Sequence, residues 1–164
     1  MEQDPRFAFR IRVDIASKSL SPGINDPTTA VLALDQIHRL LMHVGKRRLN
    51  AGQAHDADGR LRLCYRTPDW DDFVSLAVTE IRHFGGSAMQ VARRLQALLE
   101  HLLKVLPEAR KTALRQELHL LQRAIERNFP DAEDRADAAV GDLQGIGGSG
   151  GESPQRPGDR TQSK

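Results

Sequence analysis

Ser87-Ala88-Met89-Gln90-Val91-Ala92-Arg93-Arg94-Leu95-Gln96-Ala97-Leu98-Leu99-Glu100-His101-Leu102-Leu103-Lys104-Val105-Leu106-Pro107 carries the decisive pattern of this sequence. Ala88, Ala92, Leu95, Leu99, Leu102 and Leu106 recur in alternating steps of four and three, which draws one apolar seam along a helix. Val91, Leu98 and Val105 widen that seam, and Pro107 ends the helix. Beyond Pro107 the same spacing returns in Leu114, Leu118, Leu121 and Ile125. A short connection between two such helices makes them antiparallel neighbours. The fold class that follows is mainly α, a bundle of about five to six helices.

Working outward, Gly85-Gly86 stops a preceding helix that starts after Thr67-Pro68-Asp69 and carries Phe73, Leu76, Ala77, Glu80 and Ile81. Phe129-Pro130-Asp131 opens a short sixth helix expected to end near Leu143. Toward the N-terminus, Pro5 to about Leu20 is helical, with Asp4 placed to cap it. Phe9, Val13, Ala16 and Leu20 form one stripe and Phe7, Ile11 and Ile15 a second, so this helix is apolar on more than one side. Asp26 is a natural N-cap and Pro27 a natural first residue for the next helix. That helix puts Ala30, Val31, Leu34, Ile37, His38, Leu41 and Val44 on one face.

Residues 46–69 break the helical rhythm. Leu61, Leu63 and Tyr65 alternate with arginines behind an Asp58-Gly59 turn, the period of a strand. Its hairpin partner would have to lie in residues 49–57, where Ala, Gly, Gln and His give poor strand residues. A small strand or hairpin insertion near residues 50–66 is therefore expected. The predicted organisation is one helical domain over residues 1–144, its packed part starting at about residue 5, and a flexible Gly/Ser/Pro-rich tail over 145–164.

Composition excludes several function classes. The 164 residues carry 24 basic and 22 acidic side chains, a net charge of +2, too small to demand a polyanion. Seven aromatic residues are too few for base-stacking platforms, so no nucleic-acid partner is expected. The longest run without a charged residue is His83–Ala92, ten residues, where a membrane span needs about 20. One cysteine, Cys64, excludes an internal disulfide framework.

Catalytic and cofactor signatures are missing too. None of the six histidines pairs with another at i, i+4, so the helical zinc pattern is absent and no metal is expected. Asp56-Ala57-Asp58-Gly59 opens like a calcium loop but continues with Arg60 and Thr67 at ligand positions, which leaves a turn. Cys64 has no histidine placed by sequence to activate it. Lys46-Arg47-Arg48 suits the negative end of the second helix. No nucleophile elbow, phosphate loop or dinucleotide fingerprint occurs, so no catalytic residue and no cofactor are assigned.

The most unusual local sequence is Ser21-Pro22-Gly23-Ile24-Asn25-Asp26-Pro27-Thr28-Thr29. As structure it reads as a stiff corner between two core helices. As function it reads as a small polar site at a helix N-terminus, with Asp14, Ser21, Asn25, Asp26, Thr28 and Thr29 as candidate binding residues. The run from Val13-Asp14-Ile15-Ala16-Ser17-Lys18 through this corner to Ala30-Val31 resembles the signature of the domain-of-unknown-function 2254 family, bacterial predicted membrane proteins. Trp70-Asp71-Asp72-Phe73 through Ile81-Arg82-His83-Phe84-Gly85 is similar to that family's second block, and the resemblance covers about residues 3–145.

The resemblance implies context and no catalytic residues. Members carry several transmembrane helices ahead of a soluble C-terminal domain, and this chain looks like that domain alone. The opening Gln3-Asp4-Pro5-Arg6-Phe7 then reads as the interior of a longer chain. The implied role is a soluble regulatory or assembly domain attached to a bacterial membrane. Its partner would be a membrane-embedded segment or a second copy, and Ser21–Thr29 the ligand or subunit contact. Two alternatives stand beside it: an enzyme with a site around Asp14, Asn25, Asp26 and His83, and a stand-alone soluble helical oligomer.

Overall fold

The computed structural model describes residues 5–49 and 52–142. Asp4, Leu143 at the expected end of the sixth helix, and the tail 145–164 lie outside the described residues. The helices are α1 (Pro5–Ser19), α2 (Pro27–Gly45), α3 (Trp70–Gly85), α4 (Met89–Val105), α5 (Lys111–Asn128) and α6 (Ala132–Ala138). Two strands, β1 (Gln53–His55) and β2 (Leu61–Cys64), form an antiparallel hairpin between α2 and α3. The fold is mainly α with this one small insertion.

Local chemistry sets the boundaries. Asp26 caps α2 by accepting from the Thr29 backbone N–H, with Pro27 at the first position. Asp69 and Asp72 make a reciprocal capping box on α3. Pro107 leads into a 3-10 turn, Glu108–Arg110, before α5, so the second arm of the hairpin starts later than Pro107 itself. The sixth helix stops at Ala138, well short of Leu143. The chain there crosses α4, with the Asp142 N–H bonded to the Arg93 carbonyl at 3.1 Å. Gly141 permits the crossing, because a Cβ there would stand 3.1 Å from the Ala97 Cα.

Helix α4 is the centre of the core. Residues 94–99 are buried without a break, covered by α2, α5, α3 and α6. The seam read from the sequence lies inside, with Leu95, Leu99, Leu102 and Leu106 buried, while Val105 is exposed. Helix α1 packs on α2 and α3 through Phe9, Val13 and Ala16, and Phe9 meets Phe73 with ring centroids 5.5 Å apart. On α3 the buried face includes Trp70, Val74, Val78 and Arg82, while Glu80 is exposed. Trp70 donates through Nε1 to the Arg110 carbonyl at 2.8 Å, pinning α3 to the turn before α5.

The poor strand residues at 53–55 do pair, with Gln53 opposite Cys64, Ala54 opposite Leu63 and His55 opposite Leu61. The register slips between Ala54 and His55, which leaves Arg62 as the extra residue on β2. Asp56 ties the turn together. Its carboxylate accepts from the Asp58 and Arg60 N–H groups and from Arg62 Nε at 2.8 Å. Gly59 takes the left-handed φ of 78° that the turn requires. Both faces of β2 are exposed, so its alternation marks a free ribbon instead of a core strand.

Candidate functional site

The corner Ser21–Thr29 is held by its own backbone. The Ile24 and Asn25 N–H groups bond to the Ser21 carbonyl at 3.0 and 2.9 Å, and the Asp26 N–H bonds to the Ser19 carbonyl at 2.7 Å. Ser21 Oγ donates to the Lys18 carbonyl. Asn25 sits at φ 47°, a left-handed conformation that Asn tolerates better than most side chains. Asp26 uses both oxygens locally: Oδ1 accepts from the Thr29 N–H at 3.1 Å and Oδ2 from the Thr29 hydroxyl at 2.5 Å. The hydroxyl bond, and then the backbone bond, hold the Asp26 carboxyl below its ordinary range.

The candidate residues divide accordingly. Ser21, Asp26 and Thr29 are half-buried and knit into the corner; Asn25 and Thr28 are exposed on its outside, beside Ile24 at 62% exposure. Asp14 is exposed on α1 and His83 exposed on α3. Among the described residues, no hydrogen bond or ion pair joins Asp14 or His83 to Asn25 or Asp26. One turn before the corner, Ser17 Oγ is buried and without a hydrogen-bond partner.

Sequence spacing missed a second polar cluster. His38 on α2 and His101 on α4 meet with Nε2 and Nδ1 2.9 Å apart and their rings edge-on. Burial, followed by the charges of His101 and Arg94, pushes His38 down to about 4. Burial, then Lys104 and Lys46, lowers His101 as well. Two neutral rings therefore share one proton-bearing contact, one nitrogen donating and the other accepting. Beside them Arg94, almost wholly buried on α4, donates to Asp35 on α2 through Nε at 2.6 Å and through Nη2. Its Nη1 reaches the Asp142 carbonyl at 3.0 Å, so Arg94 binds the C-terminal crossing to the same cluster. A third internal pair, Arg82 on α3 with Glu117 on α5, closes at 3.0 Å, and Thr79 donates to the same carboxylate.

These clusters look inward. Among the described residues, no three His, Cys, Asp or Glu side chains gather as metal ligands. The clusters join helices and satisfy buried charges, as a low-dielectric interior requires. Only the pairing of residues far apart in sequence reveals them; the one advance signal was His38 on the apolar face of the second helix.

The family described as predicted membrane protein (DUF2254) matches residues 1–101. An uncharacterised protein of Mycobacterium tuberculosis and one of Mycobacterium bovis are each 30% identical to this chain over 137 residues. Those alignments cover 83% of this chain and 26% of each relative, so the chain spans about a quarter of the length of the curated relatives it matches. No solved structure matches it. No described helix is long and apolar enough to cross a membrane.

Proposed function

This chain belongs to the DUF2254 family of predicted membrane proteins, and from that premise we propose that it forms a regulatory or assembly domain outside the bilayer, with Ser21–Thr29 as a contact between subunits. The observation that carries this reading is the corner itself. The side chains of Ser21, Asp26 and Thr29 are already bonded within the chain, so they are not held out for a small ligand. What it presents outward is Ile24, Asn25 and Thr28 on a backbone stiffened by Pro22 and Pro27. A rigid, partly apolar projection loses little conformational entropy when another protein covers it.

The test uses the protein as expressed in its native cells. An Ile24→Cys substitution in a Cys64→Ser background is oxidised, and the product is sized by non-reducing electrophoresis. The expected result is a band at twice the monomer mass that a Glu126→Cys control, also exposed, does not give. Equal cross-linking at both positions, or none at position 24, counts against the corner as a contact.

A further inference from the structure

We propose that the outer face of α1 docks on an anionic lipid surface. The inference rests on the side of α1 turned away from the core. Phe7, Ile11 and Ile15, at i, i+4 and i+8, are 61%, 41% and 45% exposed, directly opposite buried Phe9, Val13 and Ala16. Arg6, Arg10 and Lys18 are exposed alongside them, and Asp14 is the one acidic residue of this helix. Apolar side chains in a row with cations around them fit the boundary of a negatively charged bilayer. The rings and branched chains enter the acyl region and the cations meet phosphates.

A neighbouring feature extends the basic face. Arg6 and Arg10 share a cleft of about 330 Å³ with Arg66, Thr67 and Asp72. Arg66 follows directly on β2, whose Leu61 and Leu63, with Tyr65 after them, are also exposed. Arg66 pairs with Asp72 at 3.6 Å, and Arg10 beside that pair adds a cation suited to phosphate headgroups. Charge complementarity separates this occupant from a second copy of the chain. A second copy would bring the same net positive charge to the contact, whereas an anionic bilayer brings the opposite one. The inference does not depend on the corner being a subunit contact.

Flotation of the 164-residue chain with vesicles of phosphatidylcholine, alone and mixed with phosphatidylglycerol, tests it. The expected result is flotation with the mixed vesicles only, weakening as salt is raised. The triple variant Phe7→Ser, Ile11→Ser, Ile15→Ser should lose binding while keeping its helical circular dichroism. The double variant Arg6→Gln, Arg10→Gln, confined to exposed positions, should weaken binding about five-fold per cation removed, and it decides the matter if the triple variant fails to fold. Absence of flotation with either vesicle, or binding untouched by the arginine changes, overturns the proposal. So does a concentration-dependent dimer that the triple variant abolishes without any vesicle binding.

Discussion

Helices α1 and α4 begin from the same sequence property, apolar residues on more than one side, and end differently. In α4 every apolar side but that of Val105 finds cover within the chain, because α2, α3, α5 and α6 surround it. In α1 the second stripe finds none among the described residues, and Phe7, Ile11 and Ile15 stand in solvent. The charges follow the same division. Arg94 on α4 is buried and spent on Asp35 and the Asp142 carbonyl, whereas Arg6, Arg10 and Lys18 on α1 lie at the surface. Width of an apolar pattern thus counts the neighbours a helix expects. It does not say whether the same chain supplies them.

Substitutions sharpen the contrast. Arg94→Ala strands Asp35 and removes the tie to Asp142, and should cost about 3–5 kcal/mol in urea unfolding. Leu95→Ala, in the fully buried seam, should cost about 3 kcal/mol by the same measurement. A loss below 1 kcal/mol at either position would mean that α4 is less tightly enclosed than its burial indicates.

Acid probes the contact between α2 and α4. His38 is held neutral in the fold down to about pH 4, against 6.5 for an ordinary ring. Above pH 6.5 neither state binds the proton, and stability does not change on this account. Between 6.5 and about 4 the unfolded chain takes it up and the folded chain does not, so stability falls, by at most about 3 kcal/mol. His101, lowered in the same direction, adds to the slope. Thermal unfolding across this range should show the decline, and His38→Gln should flatten it.

The smaller effects lie toward α1. Asp26→Ala removes the α2 cap and should lower the thermal midpoint. The cap's contribution is present while the carboxylate is ionised and fades as pH falls through its lowered range. Phe7→Ser should change stability by no more than about 0.5 kcal/mol, because that side chain is 61% exposed. A clear destabilisation there would show that α1 is covered in solution, by a second copy or by another partner.

Helix punctuation was legible because it is local. Asp26-Pro27, Thr67-Pro68-Asp69 and Gly85-Gly86 act within one turn, and each marks an observed boundary. The candidate corner was legible as a corner for the same reason. The hairpin was half-legible: the alternation of β2 is in the sequence, but β1 pairs through backbone groups that its side chains do not advertise. The early end of α6 was not legible, because the crossing over α4 is set by contacts with Arg93 and Arg94 that no local pattern encodes.

By itself the sequence determined a helical bundle, its caps and turns, the central seam of α4 and the two-sided character of α1, all consequences of spacing within a few residues. Only the tertiary structure decided that His38 meets His101 across 63 residues, that Arg94 meets Asp35 across 59, and that Arg82 meets Glu117 across 35. A buried polar group takes whichever partner packing brings within reach. That partner is fixed by how the helices stack, and no short stretch of sequence records it.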